Sequence, residues 1–249
     1  MKRIFSLAIL MAAFVSITAQ NIQLHYDLGH SLYKELTNRQ SVTTTVEMFK
    51  ADKWGSTYFF TDLDYHGDGM MGAYWEISRE FNISKNKRFA AHIEYNGGVT
   101  SGEIAGGGYY ANRFQQAVLV GPAYNWHNSD FSTTLSLQAM YKYTFKNSHT
   151  GDKPFNGFQV TGVWSHTFAN GLCTFSGFAD LWRNPNVRGK LIFLSEPQFW
   201  FNLNTLKGMD DVNLSLGTEV ELSNNFVYDE AGRNDKFYAI PTIAMKWSF

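Results

Sequence analysis

Hydrophobic and polar positions alternate along this chain with a period of two. From Phe131 to Lys146 one parity carries Phe131, Thr133, Leu135, Leu137, Ala139, Tyr141, Tyr143 and Phe145. The other carries Ser132, Thr134, Ser136, Gln138, Met140, Lys142, Thr144 and Lys146. A helix cannot sustain such alternation, whereas a strand places successive side chains on opposite faces. The run is longer than the usual soluble strand of about 5–6 residues. At about 3.3 Å per residue and a tilt near 45°, it is long enough to cross a bilayer.

The pattern recurs. Val212, Leu214, Leu216, Thr218, Val220 and Leu222 oppose Asn213, Ser215, Gly217, Glu219 and Glu221; Phe237, Ala239, Pro241, Ile243, Met245, Trp247 and Phe249 oppose Tyr238, Thr242, Lys246 and Ser248. Twelve strands are predicted, at 22–31, 39–50, 53–65, 71–83, 88–98, 112–125, 131–146, 156–168, 172–183, 190–201, 210–223 and 235–249. In the sixth, neither parity of Gln116 to Asn125 is cleanly apolar. Single-chain outer-membrane barrels have an even strand number, short periplasmic turns and long outer loops. The connections follow that rule. Asn96 to Ala111, Asn147 to Phe155 and Asn224 to Asn234 are long and fall after odd strands. Ala51-Asp52, Ser84 to Lys87, Trp126 to Asp130 and Ala169-Asn170-Gly171 are short and fall after even ones; Asn202 to Met209 is the exception. The expected fold is all-β, a twelve-stranded antiparallel transmembrane β-barrel of the outer membrane.

The first twenty residues set the context. Lys2 and Arg3 precede an apolar stretch from Ile4 to Ile17, and Thr18-Ala19-Gln20 offers small residues near a cleavage point, as in a secretory signal. The expected organisation is a cleaved leader over 1–20 and a barrel domain over 21–249, in the outer membrane of a Gram-negative bacterium. Loss of Lys2 and Arg3 leaves 19 basic against 22 acidic residues. The aromatic fraction is 16%, the charged fraction 17% and the mean hydropathy −0.27. These values exclude disorder and a basic nucleic-acid-coating protein. They also suit a wall with one face in lipid and one in water.

Several stretches resemble the nucleoside-specific channel-forming proteins of the outer membrane (the Tsx type). The carriers are Thr134 to Asn147 followed by Asn156 to Val163, Phe175 to Trp182, Tyr74 to Ser84, and Asp52 to Tyr65, in the family's order over about half the mature chain. No proline follows Glu76 or Asp62-Leu63-Asp64, where the family pattern has one. The resemblance implies a monomeric twelve-stranded barrel with a narrow lumen that passes small neutral solutes such as nucleosides. The last strand ends on Phe249 and resembles the signal read by the barrel-assembly machinery, with outer-membrane lipid around the wall.

In a channel the polar parity faces the lumen. This places Tyr58, Phe60, Asp62, Asp64, Tyr74, Glu76, Glu80, His92, Glu94, Gln138, Lys142, Phe178, Asp180, Trp182, Glu196, Gln198, Trp200, Glu219, Glu221 and Lys246 inside. Among them Phe60, Tyr74, Phe178 and Trp182 are the expected stacking surfaces. Asp62, Asp64, Glu76 and Asp180 are the expected readers of hydroxyl and amino groups, with Lys142 beside them. The bland alternative has these charges pairing with Lys142 and Lys246 and merely filling the barrel. No cofactor, metal or catalytic residue is expected. The seven histidines lack zinc spacing, the single Cys173 excludes a disulfide, and Asp64, His66 and Asp68 read as a solvated outer turn. Two other classes compete: a non-conducting structural or receptor barrel, and a lipid hydrolase built on His166 with Ser176.

Overall fold

The computed structural model describes residues 21–249 apart from 38, 68, 104–107, 186 and 188. The expected leader, Asp68 and Gly106-Gly107 of the glycine-rich loop lie outside the described residues. Twelve antiparallel strands form the wall: β1 (Asn21–Asp27), β2 (Val42–Ala51), β3 (Gly55–His66), β4 (Gly69–Asn82), β5 (Phe89–Glu103), β6 (Tyr109–Arg113 and Ala117–His127), β7 (Thr133–Thr144), β8 (Phe155–Phe168), β9 (Cys173–Arg183), β10 (Leu191–Ser195 and Gln198–Asn202), β11 (Leu214–Asn224) and β12 (Phe237–Ser248). Each pairs with its sequence neighbours. β1 also pairs with β12, Asn21 opposite Ser248 and Asp27 opposite Thr242, so the sheet closes and leaves no free edge.

Two strands are interrupted and rejoin the same partner. Both segments of β6 pair with β5 on either side of Phe114-Gln115-Gln116. This break is why neither parity of that stretch reads cleanly. β10 breaks at Glu196-Pro197, where proline cannot donate to the ladder. The chain bulges there toward β9, and a Cβ on Gly177 would lie 2.5 Å from the Glu196 carbonyl.

The faces are inverted relative to a soluble protein. On β1, Ile22, Leu24 and Tyr26 are exposed while Gln23, His25 and Asp27 are buried. On β7, Leu135, Leu137, Ala139 and Tyr141 face outward and Gln138, Met140 and Lys142 inward. Exposed aromatics mark the two rims, with Tyr26, Tyr141 and Phe237 at one end and Trp54, Phe131, Trp247 and Phe249 at the other. Asn21, Phe249 and most of the shorter turns lie at the second end, the periplasmic one in this architecture.

The first strand is shorter than expected, and β7, β11 and β12 also begin later, at Thr133, Leu214 and Phe237. β1 ends at Asp27 rather than at residue 31, because the Asp27 carboxylate accepts the Gly29 N–H at 2.6 Å and turns the chain out of the sheet. A single helical turn follows, α1 (Gly29–Leu32), and Leu36 and Arg39 beyond it pack back over the outer mouth, against Tyr238 and Ile240 and against Asp27 and Glu221. The β3–β4 connection is also tighter than a loop. Asp64 and His66 belong to β3 itself.

Candidate functional site: the barrel lumen

The lumen is rich in carboxylates, and neighbouring hydroxyls hold several of them. Thr45 donates to Asp62, Thr43 to Asp64, Thr161 to Asp180, and the Tyr74 phenol to Glu76. Cross-strand register explains these contacts: Thr45 faces Asp62, Thr43 faces Asp64 and Thr161 faces Asp180. The expected pairing with lysines takes a different form. Lys142 donates to Gln159 at 2.8 Å and lies 5.0 Å from the Trp182 ring, while Lys246 lies 4.2 Å from the Trp200 ring. Among the described residues neither lysine is ion-paired to a carboxylate. A hydroxyl donor satisfies part of a carboxylate without cancelling its charge, so the oxygens keep acceptor capacity toward the lumen.

Two kinds of lumen carboxylate can therefore be told apart. Glu80, His92 and Glu94 are buried in the wall, His92 lying 3.2 Å from Glu80 and 3.3 Å from Glu94. Asn125 and Gln138 also donate to Glu80, and Asn96 donates to Glu94. That group fills space and holds β4, β5, β6 and β7 together. By contrast Asp62, Asp64, Glu76, Asp180 and Lys142 stay partly exposed, as do Phe60, Tyr74, Phe178 and Trp182.

The aromatic residues form two groups rather than one. Tyr58, Phe60, Tyr74 and Phe114 make a ladder of tilted rings with successive centroids at 5.9, 5.9 and 6.4 Å. It climbs one wall across β3 and β4 to the break in β6. Glycine makes the upper step possible: a Cβ on Gly98 would lie 2.4 Å from the Phe114 ring. Glu47, bonded to the Tyr58 hydroxyl at 3.0 Å, and Asp62 and Glu76 flank the ladder. On another wall Trp182 packs edge-on against Phe226 at 5.9 Å and carries Lys142 over its face. Among the described residues the Phe178 ring joins neither group, although its parity matches Asp180. Phe114 went unforeseen because its strand lacks a clean period.

The outer mouth is narrowed from above. Arg39, on the segment between α1 and β2, reaches into the lumen, where its guanidinium contacts Asp27 at 2.9 Å and Glu221 at 2.7 Å. All three side chains are at most one tenth exposed. Leu36 anchors the same segment among Val227, Tyr238 and Ile240, and Lys236 reaches Glu35 at 2.8 Å. The facing segment, 225–236, is pinned by Asp229. Its carboxyl is held below the ordinary range by the Arg233 backbone N–H and then by the Arg233 side chain. The opposite mouth opens as a polar vestibule of about 410 Å³ lined by Thr174, Asn202, Asn204, Asn213, Ser215 and Lys246 among others.

The hydrolase pair does not form. In the β8–β9 register His166 stands opposite Phe175, and Ser176 stands opposite Ser165. His166 therefore shares the outward face with Phe168, on which it stacks at 5.4 Å, while Ser176 faces the lumen near Gln198. The period of two puts the wall between them. His66, from the expected solvated turn, bonds Ser41 and stacks on His30 at 5.2 Å, while Asp64 turns inward to Thr43.

A family model described as a domain of unknown function, DUF5020, matches residues 19–249. The chain belongs to that family. No curated protein matches it. Among solved structures this DUF5020 chain is similar to the NanC porin, with 10% identity over 93% of this chain and 99% of that one and a TM-score of 0.55. It is also similar to the KdgM porin at 9% identity, 92% and 98% coverage and a TM-score of 0.49. LpxR from Salmonella typhimurium follows at 8%, 92% and 99%, with a TM-score of 0.44. The NanC likeness shows the fold, that of an outer-membrane porin barrel.

Proposed function

We propose that the barrel is an outer-membrane channel for small solutes, and that nucleosides are the class its lumen suits best. One observation carries this reading: the inward ladder Tyr58, Phe60, Tyr74 and Phe114 runs beside partly exposed carboxylates. A planar base can pass from ring to ring while sugar hydroxyls and exocyclic amines donate to Asp62 and Glu76. Anions such as nucleotides are disfavoured by the same carboxylates. The resemblance of Tyr74 to Ser84 and Asp52 to Tyr65 to nucleoside-specific channels supports the same class, and these segments carry the ladder. Closure of the sheet on itself supports a monomer. Export by the leader and insertion through the strand ending at Phe249 complete the proposal.

Single-channel recording of the mature chain in planar bilayers tests it. Adenosine and uridine should block the current at millimolar concentration, and adenosine monophosphate should block less. Phe60→Leu with Tyr74→Leu keeps apolar volume but removes two stacking faces. Each face is worth about 1–3 kcal/mol to a base, so the pair should weaken nucleoside block by at least about tenfold. Current without block by any nucleoside overturns the solute class. A folded barrel that passes no current overturns the channel reading and favours a structural or receptor barrel.

A further inference from the structure

The lipid-facing wall carries one chemical anomaly. Among the described residues, its outward positions in the periplasmic half of the strands bear formal charge only at Lys50 and Arg79. These two are not scattered. Lys50 pairs in register with Thr57, Thr57 with Arg79, and Arg79 with Ile93, so the two cations flank a threonine across β2, β3 and β4. Arg79 reaches down to Asp52 at 2.8 Å, donates to Thr57 at 2.9 Å and lies 5.2 Å from the Phe81 ring. Directly below, the β2–β3 turn presents Lys53 over the exposed Trp54 at 5.1 Å, and the β4–β5 turn presents exposed Lys85, Lys87 and Arg88. The turns on the far side carry Asp130, Asp210 and Asp211 with Lys207. The periplasmic rim is thus basic on the β2–β5 side alone.

A groove completes the feature. Thr57, Ile77, Arg79, Ile93, Tyr95 and Val118 border a depression of about 370 Å³ on the same wall. Ser78 and Glu94 complete the lining from strand positions of the inward parity, and the outward side chains are apolar apart from Arg79, Thr57 and the Tyr95 phenol. Charge on a lipid-facing strand is tolerated near the interface and costly deeper in the bilayer, and cations near an anionic leaflet attract its headgroups. A cationic rim below an apolar channel matches a molecule with an anionic head and a hydrocarbon tail.

We propose that this face binds an anionic glycerophospholipid of the inner leaflet. The phosphate lies among Arg79, Lys50 and Lys53, and one acyl chain lies in the groove over Ile77, Ile93 and Val118. Lys85, Lys87 and Arg88 supply the field that draws the headgroup. The site is on the outside of the wall and is independent of what passes through the lumen.

Native mass spectrometry of the folded mature chain tests this, using detergent micelles doped with equal dioleoyl phosphatidylglycerol and dioleoyl phosphatidylcholine. The wild type should retain phosphatidylglycerol preferentially. Near an anionic headgroup each cation is worth about fivefold in binding, so K50Q/R79Q should bring retention close to parity. K53Q/K85Q/K87Q/R88Q leaves every strand position intact and should cause a similar loss, while K207Q on the far turn should change nothing. Heat-modifiable gel migration checks that each variant is folded. Equal retention of the two lipids by the wild type overturns the proposal. So does an undiminished preference in both multiple variants, or an equal loss in K207Q.

Discussion

Replacing Arg39 with alanine should raise the single-channel conductance and lower the stability of the barrel at the same time. The guanidinium is the cation that draws the outer segment into the lumen, bridging Asp27 on β1 and Glu221 on β11. Ser223 donates to the other oxygen of Glu221 at 2.8 Å, and Gly29 and Arg39 each donate to one oxygen of Asp27. Removing one partner of a buried ionic group leaves the others uncompensated, at a cost of about 3–5 kcal/mol where water stays out. Here the freed carboxylates border the mouth and can hydrate, so roughly 3 kcal/mol is expected, read as an earlier urea midpoint in detergent. The constriction opens because the segment's other ties, Leu36 among Val227, Tyr238 and Ile240, the Tyr33 hydroxyl to the Ala239 carbonyl and Glu35 to Lys236, join it to β12 and the facing segment and do not fill the polar mouth. An unchanged conductance would show that the narrowest point lies elsewhere.

The second large effect concerns selectivity. Asp62→Asn, Glu76→Gln and Asp180→Asn together should cut the preference for cations by about fivefold or more. Each carboxylate within about 4 Å of a passing cation contributes roughly 1 kcal/mol even at the dielectric of water. The amide oxygens can still accept from Thr45, Tyr74 and Thr161, so the wall keeps its hydrogen bonds and the barrel should fold. Glu80→Gln with Glu94→Gln should behave in the opposite way. Those groups are buried around His92, so the pair should unfold earlier in urea with little change in selectivity. The contrast separates carboxylates that face the solute path from those that hold the wall together.

The alternation made the barrel legible, because lipid on one face and water on the other impose a period of two on every spanning strand. Phe131 to Lys146 needed no other information. The inward set followed from the same rule, and Asp62, Glu76, Lys142 and Asp180 all lie inside the wall. What the pattern could not supply was which inward residues meet across the lumen. Phe60 and Tyr74 meet through strand register, while Trp182 and Phe226 meet on another wall. Arg39 was invisible for a different reason. It sits in an irregular segment, and its partners Asp27 and Glu221 come from opposite ends of the chain. The first strand ends before its pattern does, since the parity of Ile22, Leu24 and Tyr26 continues to Leu28. The Asp27 turn ends it through one side-chain hydrogen bond. His166 and Ser176 lie on strands that pair with each other, and only the register shows that the wall divides them.

The most direct test of an acid-lined solute channel is the reversal potential of the wild-type barrel in a planar bilayer under a potassium chloride gradient. The partly exposed Asp62, Asp64, Glu76 and Asp180, with Lys142 beside them, predict a cation-selective current. An anion-selective reversal potential, or a folded barrel without current, would contradict it.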